Sequence, residues 1–255
     1  FVLHAQQGAN VAMVYLRGSE ADFRAWDAPG WGWRDVVPAF EALERVLDVR
    51  ARPPTEFTEA CIAGAEEVGF RREVDLDRGD LLGALGYERM NYAGDRRRNA
   101  YVAFIQPYAD RSNLVVQTGA HAHRLVLDDR RRVVAVEYEH EGALRTARVR
   151  REAILCAGAL ESPRLLMLSG IGPREQLRRH GIASVFDLPG VGENLQDHPN
   201  VTLFHYGRRA VDCNYPQLYG FHRAVPEADL PADQADTCYV FYPARSSFRE
   251  ATMRM

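Results

Sequence analysis

The chain has 255 residues, 46% of them hydrophobic and 26% charged, enough for one large domain or two of roughly 100–150 residues with a real core. Its 35 acidic and 32 basic side chains leave a formal net charge of -3, so no overall field favours a nucleic acid or an anionic membrane surface. No apolar run approaches the ~18 residues of a membrane helix, since even Ala153 to Leu160 stops at Glu161, and the expectation is a soluble, cytoplasmic protein without a membrane partner.

In chain order, the opening residues are broken by His4, Gln6 and Gln7 and come after no positive region, which is unlike a signal peptide; both ends read as cut. Ser19 with Asp22 three residues later predicts a capping box and a short helix carrying Phe23 and Trp26, ended by Pro29 and Gly30. A longer helix is expected from Arg34, with Val36, Val37, Phe40, Leu43, Val46 and Leu47 at helical spacing and Pro38 confined to the first turn. A third runs from about Thr55 to Val68 and closes at Gly69.

The glycine-rich stretch from Glu73 to Gly94 reads as an irregular surface region. Leu114 to Gln117, Ala122 to Leu127, Val133 to Tyr138 and Leu144 to Val149 read as strands of an antiparallel meander, with a turn at Asp128 and Asp129. Ala153 to Cys156 predicts a short parallel strand buried on both faces, followed by Ala157, Gly158 and a helix opened by Ser162 as N-cap and Pro163 at its first position. That helix ends at Gly170. A second helix around Glu175 to Arg179 and a return strand at Ala183 to Phe186 lie between Pro173 and Pro189, and Ser247 begins a final helix.

Cys61, Cys156, Cys213 and Cys238 form no C-x-x-C pair, so neither a zinc site nor a redox motif is expected and the thiols are taken as reduced. The chain contains no lysine, which excludes a Schiff-base mechanism. The Gly-x-Gly pairs at Gly30/Gly32, Gly170/Gly172 and Gly190/Gly192 are never completed to G-x-G-x-x-G after a strand, and no P-loop, G-x-S-x-G elbow or His-Glu-x-x-His helix occurs. His121 and His123 share a strand face but lack further ligands, so no metal is expected. Arg96 to Arg98 are weighed as a phosphate grip against a solvated run, while Arg130 to Arg132 are given to solvent.

Two longer segments carry more. Gly158-Ala-Leu-Glu-Ser-Pro-Arg-Leu-Leu-Met-Leu-Ser-Gly-Ile-Gly172 and Leu188-Pro-Gly-Val-Gly-Glu-Asn-Leu-Gln-Asp-His-Pro199 resemble the second signature region of the glucose-methanol-choline (GMC) oxidoreductases, flavoproteins that oxidise alcohols with FAD. Asn10 through Met13, Tyr15, Arg17, Gly18, Asp22 and Trp26 resemble the first signature, Gly30-Trp31-Gly32-Trp33 with Asp35 and Pro38 match the family's next stretch, and the resemblance continues through Arg97 to Pro107 and Asn113 to Tyr138. Where the family has Gly-Gly and two small residues, this chain has His4-Ala5-Gln6-Gln7, and Ala9 replaces a histidine that carries covalent flavin in some members.

The resemblance implies an α/β fold: a partial, Rossmann-like FAD-binding domain with an antiparallel β-meander over 1–200, and the start of a truncated substrate-binding domain over 201–255. It implies FAD as cofactor, with Asn10, Val11, Ala12 and Met13 along flavin and pyrophosphate, Ala122 meeting adenine through its main chain, and Ala157 and Gly158 letting the backbone approach the cofactor. It implies choline dehydrogenase-like oxidation of a small-molecule alcohol, with hydride passing to flavin as part of a longer chain. No residue of this chain is assigned a catalytic role; His198, beside Asp197, is read as a loop histidine. The alternative is a non-catalytic remnant or binding protein that does not hold FAD.

Overall fold

The computed structural model describes residues 2–4, 14–94, 96–201, 203, 205, 207, 211–212 and 217–241. Two compact units alternate along the chain, one formed by 1–11 and 109–203, the other by 12–108 and 204–255.

In the second unit the helix starts reflect local chemistry. At the helix Glu20–Ala25, Ser19 Oγ accepts the Asp22 N–H at 3.1 Å and the Asp22 carboxylate accepts the Ser19 N–H at 2.8 Å, a reciprocal cap. Helix Glu56–Glu67 has Thr55 as its N-cap, and Gly69 lies just past its end with φ +97. Helix Trp33–Leu47 begins one residue before the expected start, which puts Pro38 at its sixth position rather than in the first turn. The ring has no N–H to offer the Arg34 carbonyl there.

The expectation of an irregular surface between Glu73 and Gly94 is wrong. The segment holds strands Ala84–Tyr87 and Arg89–Ala93, and Leu76, Leu81, Ala84, Leu85, Met90 and Tyr92 in it are buried. Its glycines mark turns and close approaches instead of looseness: Gly79 and Gly83 have positive φ, and a Cβ on Gly86 would run into the Glu73 carbonyl oxygen. Ala84–Tyr87 lies inside a four-stranded sheet, antiparallel to Leu218–His222 on one side and parallel to Arg71–Glu73 on the other, with Thr237–Phe241 beyond Leu218–His222. One face packs Leu85 and Leu218 against Ile62 and Ala65 of helix Glu56–Glu67; the other packs Ala84 with Leu76 and Leu81, beside Tyr219 and Phe221. A second sheet sets Arg89–Ala93 between Val14–Tyr15 and Val49–Ala51.

In the first unit the meander is present as Ala120–Leu127, Val133–His140 and Ala143–Arg148. Leu114 to Gln117 is not a strand, because no partner among the described residues pairs with it. Helix Gly158–Leu168 packs Leu165 on Leu125 and Val136. Ser169 fastens that contact: its Oγ accepts the Leu125 N–H at 2.8 Å and donates to the Leu165 carbonyl at 2.6 Å.

Two details differ from expectation. Ser162 and Pro163 lie inside this helix instead of starting it, since the chain already turns at Gly158, where φ is +87. The strand Ile154–Cys156 is parallel, as expected, but among the described residues pairs only with Val2–His4 and leaves Ile154 44% exposed. Farther on, Ile171–Gly172 pairs in parallel with Phe186–Asp187 across helix Arg174–Arg179. Arg131 is not wholly given to solvent, for its guanidinium lies 5.0 Å from the centre of the Phe186 ring. The helix expected after Ser247, and Cys213, lie outside the described residues; Cys61, Cys156 and Cys238 form no disulfide. Among the described residues no helix is long and apolar enough to cross a membrane.

Candidate functional site

The first unit's candidate site grows from the junction between strand Ile154–Cys156 and helix Gly158–Leu168. Ala157 ends the strand without a side chain able to cap the helix, and no side-chain cap is made there. The Ala157 N–H is bound by Ser162 Oγ at 3.1 Å, which ties the junction to the helix's own second turn. Gly158 at φ +87 adopts a backbone that a larger residue rarely takes. An 11-residue helix with an uncapped N-terminus, a methyl side chain and a glycine at its start leaves amide donors and no bulk, which suits close approach of an anionic group.

Along the same helix runs a groove of about 1110 Å³, lined by Ala159, Leu160, Pro163 and Met167 on the helix and by Asn194 and Leu195 on the loop beyond it. Its tightness at one wall explains one glycine of each Gly-x-Gly pair. A Cβ on Gly192 would overlap the Met167 methyl, and one on Gly172 would lie 3.0 Å from Met167 Cγ. Gly172 and Gly192, the second glycine of each pair, thus let two loops close on one methionine. Leu160 and Leu195 remain exposed in the groove, a mostly apolar lining that fits an organic ligand better than a metal.

Ala122 lies on the meander strand that this helix covers. It is half-buried in the cluster that includes Leu155 and Leu165, directly before a break in register between Ala122 and Arg124. Such a bulge frees main-chain groups from the ladder, which suits recognition through backbone. Ala122, Ala157 and Gly158 therefore belong to one unit and border one packed layer, whereas Asn10, Val11, Ala12 and Met13 lie outside the described residues. The groove residues Pro163, Met167, Asn194 and Leu195 fall within the signature segments but carry no role there; the paired glycines flanking them were the available signal.

The histidines give little chemistry. His121 and His123 rings pack edge to face at 5.1 Å, His123 Nε2 is 3.4 Å from Glu139, and no group of three metal-ligating side chains forms among the described residues. The Asp197 carboxylate accepts the backbone N–H of His198 at 2.9 Å, not its imidazole.

The second unit concentrates buried charge. Arg17 meets Glu44 through two hydrogen bonds of 2.5 and 2.7 Å, and Arg89 reaches Asp77 at 2.8 Å and Glu44 at 3.4 Å. Burial pushes the Glu44 carboxyl up, but Arg17 and Arg89 outweigh that and hold it below its ordinary value. For Asp77 burial wins, despite the Arg17 N–H and Arg89. The Tyr15 phenol is raised by burial and by the Glu44 charge. Glu88 stands apart: burial alone pushes it up to about 7.

Comparison with known proteins bears on both units. The family model described as GMC oxidoreductase matches residues 9–200. An uncharacterised GMC-type oxidoreductase of Mycobacterium tuberculosis is 34% identical over 278 residues, covering 91% of this chain and 51% of that protein. An oxygen-dependent choline dehydrogenase of Brucella anthropi is 36% identical over 239 residues, covering 87% and 42%. Among solved structures, pyridoxine 4-oxidase from Mesorbium loti aligns with a TM-score of 0.63 at 29% identity over 70% of this chain and 38% of that one. An FAD-dependent oxidoreductase from Chaetomium thermophilum aligns with a TM-score of 0.64 at 26% identity, covering 73% and 37%. The chain spans about half the length of the curated relatives it matches.

Proposed function

The chain belongs to the GMC oxidoreductase family of FAD-dependent flavoproteins, and from that premise we propose that it forms part of an enzyme that oxidises the CH–OH group of a small alcohol. The observation that carries this reading is the strand-to-helix junction at Ala157 and Gly158, where an uncapped helix start, a positive φ and a groove coincide on the family's second signature. Residues 1–200 are read as part of the FAD-binding domain and 201–255 as the start of the substrate-binding domain, in a cytoplasmic protein.

The residues fit the cofactor in that reading. Helix Gly158–Leu168 would offer its first amides to a phosphate, Gly158 would keep that approach clear, and the main chain at Ala122 would take the adenine. By resemblance to the family, Asn10 to Met13 would hold flavin and pyrophosphate. Bound FAD supplies the hydride acceptor. No histidine of this chain is assigned as the base that takes the hydroxyl proton, in keeping with an Asp197 carboxylate engaged by backbone.

The test is flavin itself. The 255-residue chain should retain little yellow cofactor after desalting, because no G-x-G-x-x-G turn opens a helix within it to take the pyrophosphate. The protein extended to the length of its relatives should hold FAD and lose the oxidised-flavin absorbance at about 450 nm when an alcohol is added without oxygen. An extended protein that holds no flavin supports the alternative of a non-catalytic remnant; one that holds FAD and is bleached by no alcohol refutes the substrate class.

A further inference from the structure

Strand Ala143–Arg148 is an outer strand of the first unit's meander, and the Val149 N–H still donates to the Val134 carbonyl at 2.9 Å before the chain leaves the sheet. The chain then bends at Arg150 and Arg151 and resumes regular structure at Ile154, the first residue of strand Ile154–Cys156. In a continued strand Arg150 and Arg151 would point to opposite sides. The bend instead gathers both, with Arg148, around one hollow of about 420 Å³ whose other walls are Val149, Glu152 and Ile154.

Other arginines of the meander are paired where they stand, Arg124 with Glu137 at 2.8 and 3.0 Å and Arg145 with Glu141 at 3.6 Å. Arg148, Arg150 and Arg151 have no carboxylate partner among the described residues. Three guanidiniums against the one carboxylate of Glu152 leave the hollow with an excess of two positive charges. The hairpin turn at the same end of the meander sets Arg130, Arg131 and Arg132 against Asp128 and Asp129, and the Asp128 carboxylate is already engaged by the Arg130 and Arg132 N–H groups at 2.9 Å. The surroundings are therefore basic as well. Like charges gathered in a concavity repel one another and focus their field on the space between them, which a bound anion relieves. Beside them the apolar side chain of Ile154 stays 44% exposed.

We propose that this hollow binds a phosphate monoester, its phosphate held by Arg148, Arg150 and Arg151 and its organic group lying on Val149 and Ile154. Such an ester carries about two negative charges at neutral pH and three acceptor oxygens, matching the excess charge and the forked donors of the guanidiniums. A carboxylate brings half that charge, and inorganic phosphate leaves the apolar wall uncovered. The hollow is separate from the junction at Ala157 and Gly158, because it opens at the start of strand Ile154–Cys156 and the junction follows that strand's end, about 10 Å further along. The site therefore stands whether or not the chain oxidises an alcohol.

Titration calorimetry at low ionic strength, on the protein extended to the length of its relatives, tests this with phenyl phosphate, inorganic phosphate and benzoate. Phenyl phosphate should bind saturably and at least about fivefold tighter than either of the others. Arg150→Gln and Arg151→Gln should each weaken it by about tenfold, whereas Arg145→Gln, at the paired arginine of the same meander strand, should change it by less than about twofold. Ile154→Ala should remove the preference for the phenyl ester and leave inorganic phosphate binding intact. Binding should weaken as pH falls from about 7.5 to about 5, because the ester takes up a proton near pH 6 while the guanidiniums keep their charge. Vesicles of phosphatidylcholine with and without phosphatidic acid separate two sources of the same group. Sedimentation with phosphatidic acid that Arg150→Gln abolishes assigns a lipid-borne ester, and binding of phenyl phosphate alone assigns a soluble one. Absence of saturable phenyl phosphate binding, an equal loss in Arg145→Gln, or an affinity that does not change over that pH range would overturn the proposal.

Discussion

Two arginine–glutamate pairs of nearly the same geometry sit in opposite environments. Arg17 grips Glu44 in the second unit at 2.5 and 2.7 Å with side chains 10% and 9% exposed. Arg124 grips Glu137 in the first unit at 2.8 and 3.0 Å with side chains 55% and 35% exposed. Hydrogen-bond length does not separate them; the solvent does. Water serves Arg124 and Glu137 equally well when they part, whereas Glu44, inside a network with Asp77 and Arg89, has no water to return to. The second unit therefore depends on the network of Arg17, Glu44, Asp77 and Arg89 staying paired. The first relies on apolar packing of Leu125, Val136 and Leu165.

The contrast between the pairs should show most strongly in Arg17→Ala, expected to cost about 3–5 kcal/mol in urea denaturation because it leaves Glu44 buried and under-compensated. A loss no larger than that of a surface substitution would mean the network is solvated.

Next in size is Glu88, buried polar matter without a partner among the described residues. Its carboxyl ionises at the ordinary 4.5 in the unfolded chain and at about 7 in the fold, so between those values the folded state holds more protons. Stability from this group should fall as pH rises from about 4.5 to about 7 and then level off, by on the order of 3 kcal/mol at most. Glu88→Gln should flatten that part of the profile. Parallel profiles for the two proteins, measured by chemical denaturation, would show that Glu88 is already ionised in the fold.

Smallest is Arg124→Ala in the first unit, which should shift the denaturation midpoint by no more than the reproducibility of the titration, and less still in high salt. A loss comparable to that of Arg17→Ala would erase the distinction between the two pairs.

Much of the local structure was legible in the sequence because its causes are local. Ser19 and Asp22 cap a helix by their own hydrogen bonds, Thr55 and Gly69 bracket another, and the β-rich runs at Ala122 to Leu127 and Val133 to Tyr138, joined by a polar turn, mark the meander. The family signature also identified the junction at Ala157 and Gly158. Spacing alone placed the helix start at Ser162 because serine and proline are strong start signals, yet the positive φ of Gly158 turned the chain four residues earlier.

The features that stayed hidden depend on partners far away in sequence. Ala84–Tyr87 looks like glycine-rich surface until Leu218–His222 pairs with it across more than a hundred residues, and Ile154–Cys156 looks doubly buried until Val2–His4 proves to be its one strand partner among the described residues. Glu88 is one of many glutamates in the sequence. Its burial and its place across from Gln217, with no described cation beside it, come from the pairing of distant strands, since desolvation is set by what surrounds a group in space and not by its neighbours in the chain.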